Sequence, residues 1–365
     1  MSRSFSEYVV FLVLLSCSIA YGTLSKSDRD EKPNKFHATK QKRKERSNVA
    51  KQPQWNNGGY DIAKWAAQKF THVSPVWFQF KPEVKQQKTC TILGTHDMDM
   101  QWLADVHKNN SEIRFMPRFV IDGSVPRNVE RFLYDEKWQT DCARLVINFI
   151  KVPEEQDAWS SYRSVASDFV ISSDASKRVS RELVELISHW AELFHQADLE
   201  IIVPLPAPLS DKNHPSGLVM KDELARIIHD VDYINVMTYD YSSDRFIGVS
   251  PFDWIQRNLE YILSESSISS SKLLMGLNFY GYIFQQNIFN AVVGRDFITY
   301  IEAEPEALRW NSITKEHFFK TKYEDFCIYP TLASLQIRLD LARRFNVGVG
   351  IWELGQGLNY FTCLF

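Results

Sequence analysis

From about residue 55 to the C-terminus, short apolar runs rich in β-branched and aromatic residues alternate with amphipathic stretches of helical period. This alternation constrains the fold more than any other feature. Strand-like runs are Thr71–Phe80, Ile113–Ile121, Phe169–Ser172, Leu199–Leu205, Tyr233–Tyr239, Leu273–Tyr280 and Val347–Trp352. Helical runs are Asp99–Asn109, Thr140–Ile150, Ser180–Gln196, Lys221–His229, Phe252–Leu263 and Leu332–Phe345. In Ser180–Gln196 the apolar residues Leu183, Leu186, Ile187, Trp190 and Phe194 recur at steps of three and four, which puts them on one face. Repeated strand–helix units predict parallel strands covered by helices, and strands apolar on both sides suit a doubly covered sheet. The number of units and the single-domain length predict an α/β fold, a (β/α)8 TIM barrel. No glycine-rich turn follows a strand and opens a helix, so a dinucleotide-binding sheet is not indicated. Seven strands are legible. The first is expected just before Trp55, where residues 47–54 (SNVAKQPQ) are polar and carry Pro53, so that strand is predicted to be weak or missing.

Three segments are expected. Residues 1–22 read as a signal peptide: Arg3, then the apolar run Val9–Ala20, then Ala20-Tyr21-Gly22 as a cleavage site, with a signal anchor as the competing reading. Residues 23–54 are a basic linker, with KQKRKERSN at 40–48 its densest charge block; such a stretch buries too little apolar surface to order its backbone. Residues 55–365 form the barrel. A net charge of −3 gives no general attraction to nucleic acid, and no later run is long and apolar enough to span a membrane. Cys90, Cys142, Cys327 and Cys363 lack metal-site spacing, and buried free thiols are expected. Neither a metal nor a cofactor is implied. Asn109-Asn110-Ser111 is a glycosylation sequon.

In a parallel barrel the functional face is built at the C-terminal strand ends. Here those ends read SPVWFQF (74–80), VMTYDYS (236–242), GLNFYG (276–281) and IWELGQGLNYF (351–361). Together with YPTLASLQIRLDLARRFNVGVGIWELGQG (329–357), they resemble glycoside hydrolase family 18, and within it the stabilin-interacting chitinase-like branch. The stretches THDMDMQW (95–102) and ELFHQADL (192–199) carry the same likeness.

The resemblance implies a site for N-acetylglucosamine-type oligosaccharides. In that family a strand-four pattern, D-G-x-D-x-D-x-E, supplies the acid, and the substrate's own acetamide attacks. Placed on this pattern, Ser172 stands at the last Asp and Asp174 at the Glu. A serine cannot replace a charged partner, and Asp174 is a methylene short. Losing a positioned acid forfeits roughly 10²–10⁴-fold in rate. The expectation is therefore a chitinase-like lectin without efficient hydrolysis; the alternative is a weak glycoside hydrolase using Asp174 or Glu353. The resemblance assigns Tyr239 and Asp240 to the acetamido sugar and Trp352 to the floor beneath it, with Tyr280, Glu353 and Trp77 at neighbouring strand ends. For each aromatic, ordinary barrel packing is the competing role. A secretory or lysosomal location, lipopolysaccharide-like glycans and a stabilin-type scavenger receptor as partner are further implications of the resemblance.

Overall fold

The computed structural model describes residues 11–15, 57–82, 90–121, 133–151, 164–168, 177–211, 214–215, 219–243, 246–285, 288–303, 308–320 and 325–365. Its main sheet contains strands β1 (Phe11–Leu15), β2 (His72–Pro75), β3 (Phe78–Pro82), β4 (Cys90–Leu93), β5 (Arg114–Phe115), β6 (Arg118–Ile121), β7 (Ser164–Asp168), β8 (Glu200–Pro206), β9 (Tyr233–Met237), β10 (Leu273–Asn278) and β16 (Gly348–Trp352). All but β4 pair in parallel. β2 and β3 are two halves of one bent stave, as are β5 and β6, because β2 pairs with β5 while β3 pairs with β6. The result is the eight-staved parallel barrel expected from the alternation. β4 lies antiparallel on β3.

The helices are α1 (Asn57–Trp65), α2 (Met100–Asn109), α3 (Glu136–Lys151), α4 (Lys177–Gln196), α5 (Lys221–Ile227), α6 (Phe252–Leu263), α7 (Gly294–Ala303) and α8 (Leu332–Phe345). Their ends follow local chemistry. Asp99 caps α2 by accepting from the Trp102 amide at 2.9 Å, which satisfies a donor with no partner inside the helix. Thr331 does the same for α8 through Ser334, and Asn346 ends it in the left-handed region at φ 53°. The apolar stripe of α4 is buried as its spacing predicts, from Leu183 to Phe194.

Four findings differ from expectation. The first stave is not just upstream of Trp55. It is Phe11–Leu15, inside the run that reads as a leader core, and it closes the barrel between β16 (Leu12 opposite Gly350) and β2 (Leu12 opposite His72). Strand propensity and leader hydrophobicity draw on the same residues, so the sequence alone does not separate them. The fourth stave is Ser164–Asp168; the expected strand at 169–172 lies outside the described residues. Cys90 and Cys142 form a disulfide joining β4 to α3, while Cys327 and Cys363 are free. The expected buried free thiols thus hold for Cys327 alone, since Cys363 is free but exposed and the other two are paired by a spatial approach that spacing does not reveal. Finally, a second sheet, in the order β12 (Ile288–Val292), β11 (Gly281–Gln285), β15 (Phe326–Tyr329), β14 (Glu316–Lys320), β13 (Leu308–Asn311), is inserted after β10 and carries α7. It is antiparallel throughout. Tyr329 ties it to the barrel, its hydroxyl donating to the carbonyls of Phe279 (3.1 Å) and Gln356 (3.2 Å).

Candidate functional site

The ends of β9, β10 and β16, with the start of the inserted sheet, bring one polar and aromatic cluster together. β9 ends at Met237, and the chain turns through Thr238, whose Oγ1 donates to the Gly276 carbonyl at 2.7 Å. That turn delivers Tyr239 inward and Asp240 to the lip. Tyr239 fits because β10 has Gly276 opposite it; a Cβ there would meet the Tyr239 ring at 2.7 Å. Asp240 takes a left-handed backbone, φ 57°, a region that Asp tolerates better than most residues.

Asp240 is the centre of the cluster. Its Oδ1 accepts from the hydroxyl of Tyr282 at 2.9 Å and from that of Tyr280. The carboxylate is open to solvent on one side, yet protein crowds the other. Burial pushes its carboxyl up, and the two tyrosine donors pull the opposite way. Tyr280 is 4% exposed, and its hydroxyl is raised by burial first and by Asp240 next. The Tyr239 and Tyr280 rings meet edge to face at 6.0 Å, and Tyr280 and Tyr282 at 5.7 Å. Beyond Asp240 opens a cavity of about 280 Å³ lined by Asp240, Tyr241, Ser242, Ser243, Phe246, Tyr282 and Phe289. Phe246 and Phe289 face each other edge to face at 4.9 Å.

On the barrel side the cluster continues through Arg118. This buried residue of β6 lies with its guanidinium 4.4 Å from the centre of the half-exposed Trp352 ring, a cation–π contact that is strong when water is excluded. Burial lowers the Arg118 pKa to about 10, with Tyr239 opposing, so the group stays charged at neutral pH. Burial and the neighbouring Asp240 both raise the Tyr239 hydroxyl, and Arg118 opposes them. Tyr239 is therefore a neutral donor at any ordinary pH. Arg118 was not singled out from the sequence: the run IRFMPRFVI carries two arginines, Arg114 and Arg118, and only the structure shows that the second is buried while the first is exposed.

The structure thus brings Tyr239, Asp240 and Tyr280 into one cluster, and Trp352 adjoins it through Arg118. Trp77 is placed elsewhere. It is 4% exposed, its Nε1 donates to the Tyr60 hydroxyl at 2.9 Å, and its ring packs on Trp102 at 5.8 Å. It is a packing residue between the barrel and helices α1 and α2, because bending of the stave after Pro75 turns it toward those helices. Glu353 follows Trp352 and is fully buried, 0% exposed. Ser172 and Asp174 lie outside the described residues. Asn109 ends α2 at the surface, and its Nδ2 donates to the Lys64 carbonyl at 2.8 Å. Among the described residues, no group of three or more His, Cys, Asp or Glu is placed to hold a metal. None of the described helices is long and apolar enough to cross a membrane.

A barrel of this kind, with its ligand-type groups on the C-terminal strand ends, is the architecture of the chitinases it is similar to. The chain belongs to the glycosyl hydrolases family 18, whose profile matches residues 122–357. A chitinase from Chromobacterium violaceum ATCC 12472 superposes with a TM-score of 0.70 at 16% identity, covering 98% of this chain and 97% of that one. The spore cortex-lytic enzyme SleL of Bacillus megaterium QM B1551 superposes with a TM-score of 0.67 at 16% identity, covering 98% and 73%. A class V chitinase from Nicotiana tobaccum, a point mutant solved in complex with NAG4, gives 0.66 at 13% identity, covering 84% and 94%. At such identities these likenesses speak for the fold alone. In sequence, the chain is 22% identical over 211 residues to an uncharacterized glycosylase, YvbX, of Bacillus subtilis strain 168; the match spans 55% of this chain and 60% of that protein.

Proposed function

We propose that this protein is a chitinase-like lectin that binds N-acetylglucosamine-type oligosaccharides across the barrel mouth and does not hydrolyse them efficiently. The observation that carries the reading is Asp240, held by Tyr280 and Tyr282 at the edge of an open cavity of about 280 Å³. Three roles follow. Trp352 offers a flat apolar ring to a pyranose face, with the Arg118 guanidinium stacked on it at 4.4 Å. Tyr239 donates. Asp240 accepts from a sugar hydroxyl or acetamide N–H with its second oxygen. Family membership supports a glycan ligand, and the NAG4 complex of the tobacco enzyme supports an acetamido sugar.

The lectin reading rather than hydrolysis is favoured by the sequence where an acid is needed. Placed on the family pattern, Ser172 falls at the charged position and Asp174 is the short carboxylate after it, while Glu353 is fully buried. The Cys90–Cys142 bridge supports an oxidising compartment, secreted or lysosomal, reached with residues 1–22 retained, since Phe11–Leu15 closes the barrel. A glycan on Asn109, lipopolysaccharide-like ligands and a stabilin-type receptor rest on the sequence reading alone. Titrating the protein with chitotetraose while following tryptophan fluorescence tests the proposal. Saturable quenching that is absent in Trp352→Ala supports it, and an unresponsive wild-type protein overturns it.

A further inference from the structure

The stretch between β9 and α6 carries five of the seven residues that line the cavity, Asp240 among them, and it is described over 238–243 and 246–251. A connection of this length holds ligand groups in register only if its backbone is tied down. The ties come from outside the barrel. Glu316, on β14 of the inserted sheet, is buried, and its Oε1 accepts from the backbone amides of Val249 at 3.1 Å and Ser250 at 3.0 Å. Arg338, buried on α8, grips the opposite side of the same turn. Its Nη2 donates to the carbonyls of Ser250 and Thr314 (the latter at 3.3 Å), and its Nη1 donates to those of Lys315 at 3.0 Å and Ser334 at 2.9 Å.

The restraint then passes to Asp240. The Ser250 hydroxyl donates to the Thr238 carbonyl at 2.6 Å, and the Tyr241 amide donates to the Val249 carbonyl at 3.0 Å. Asp240 is bracketed by those two residues, Thr238 and Tyr241, and holds φ 57°. A non-glycine residue leaves that region when its surroundings loosen. Gly248 completes the fit, since a Cβ there would collide with Glu316 Oε2.

We infer that Glu316, backed by Arg338, is a positioning residue: it touches no ligand, and it sets glycan affinity by holding the Asp240 lip in its binding-competent backbone. The affinity part rests on the glycan-binding reading above; the anchoring part does not. Burial pushes the Glu316 carboxyl up, and Arg338 together with the Ser250 and Val249 amides opposes that rise; the positioning role rests on the hydrogen-bond geometry.

The test compares Glu316→Gln, which keeps an acceptor, with Glu316→Leu, which removes it. Amide hydrogen exchange is read at Tyr241, Val249 and Ser250, with the strand amides of β9 and β10 as controls, and chitotetraose affinity is measured alongside. The expected result for Glu316→Leu is at least tenfold faster exchange at the three loop amides, unchanged control strands, and at least tenfold weaker binding. Glu316→Gln should restore most of both. If Glu316→Leu fails to fold, Ser250→Ala, which removes only the hydroxyl on Thr238, must show faster exchange at Tyr241 with the strands unchanged. Unchanged loop exchange in the variant that folds overturns the inference, as does equal acceleration throughout the barrel. Local acceleration in a protein whose wild type binds no chitotetraose upholds the anchor and sinks the glycan reading instead.

Discussion

Replacing Asp240 with asparagine isolates the carboxylate charge while preserving shape. Asp240 Oδ1 takes hydrogen bonds from Tyr280 and Tyr282. Hydrogen bonds to a charged group contribute about 1.5–3 kcal/mol, against about 0.5–1.5 for neutral pairs. The carboxylate is open on one side, so the low end applies, giving a loss of roughly 1–2 kcal/mol in lip order and ligand acceptance together. That corresponds to about fivefold to thirtyfold weaker binding at neutral pH. The pH dependence follows from the direction of the shift. Burial raises the Asp240 carboxyl above its ordinary 3.8, so the protonated, weaker-accepting form persists to higher pH than for a solvated aspartate. Wild-type affinity for chitotetraose should therefore rise as pH increases from about 4 toward 7, and the Asp240→Asn curve should stay flat and meet it at the acid end. Folding stability runs the other way: a raised carboxyl contributes stability that is present below the unfolded value and lost as pH climbs through the folded one. Calorimetric titration of both proteins across that range reads the effect. Parallel curves for the two proteins, or wild-type affinity that falls with rising pH, would rule out a charged Asp240 as the acceptor.

Trp352→Ala removes the ring proposed to lie beneath a sugar and the partner of Arg118 at 4.4 Å; a loss of about 2 kcal/mol in binding is expected, with a lowered melting temperature because a buried cation loses its aromatic face. Deleting residues 1–22 takes away β1 and exposes the edges of β16 and β2. The truncated chain should melt several degrees lower and aggregate in light scattering, and equal behaviour of the two chains would exclude Phe11–Leu15 as the first stave. Reducing Cys90–Cys142, or replacing both by serine, frees a loop of sequence separation 52. In the chain-entropy picture that costs about 4 kcal/mol, readable as a shift in urea midpoint.

Much of the fold was legible because local and tertiary signals agree. Helices α6 and α8 match their expected bounds to the residue, since Pro251, Thr331 and Asn346 mark ends that apolar spacing also marks. The staves read as single long runs at 71–80 and 113–121 are each broken in two, because residues 76–77 and 116–117 bend between one neighbouring stave and the next. The inserted sheet escaped notice: its strands are four or five residues long, several are exposed, and alternation is weak in segments such as Leu308–Asn311. The strand-end positions of Tyr239, Asp240, Tyr280 and Trp352 were legible in the sequence, while their ligand roles belong to the proposal. Trp77 was misread, since a strand-end tryptophan carries the same sequence signal whether it faces the mouth or the helices. Arg118, Glu316 and Arg338 act through contacts between residues distant in the chain, and no spacing announces those.

The glycan site proposed above would hold an acetamido sugar without cutting it. One sample tests it: the protein titrated with chitotetraose, followed by tryptophan fluorescence, then analysed by mass spectrometry for shorter oligomers after prolonged incubation. Saturable binding with the tetramer recovered intact is expected. Cleavage at the speed of an ordinary chitinase, abolished by Asp174→Asn, or an absence of any binding, would end this reading.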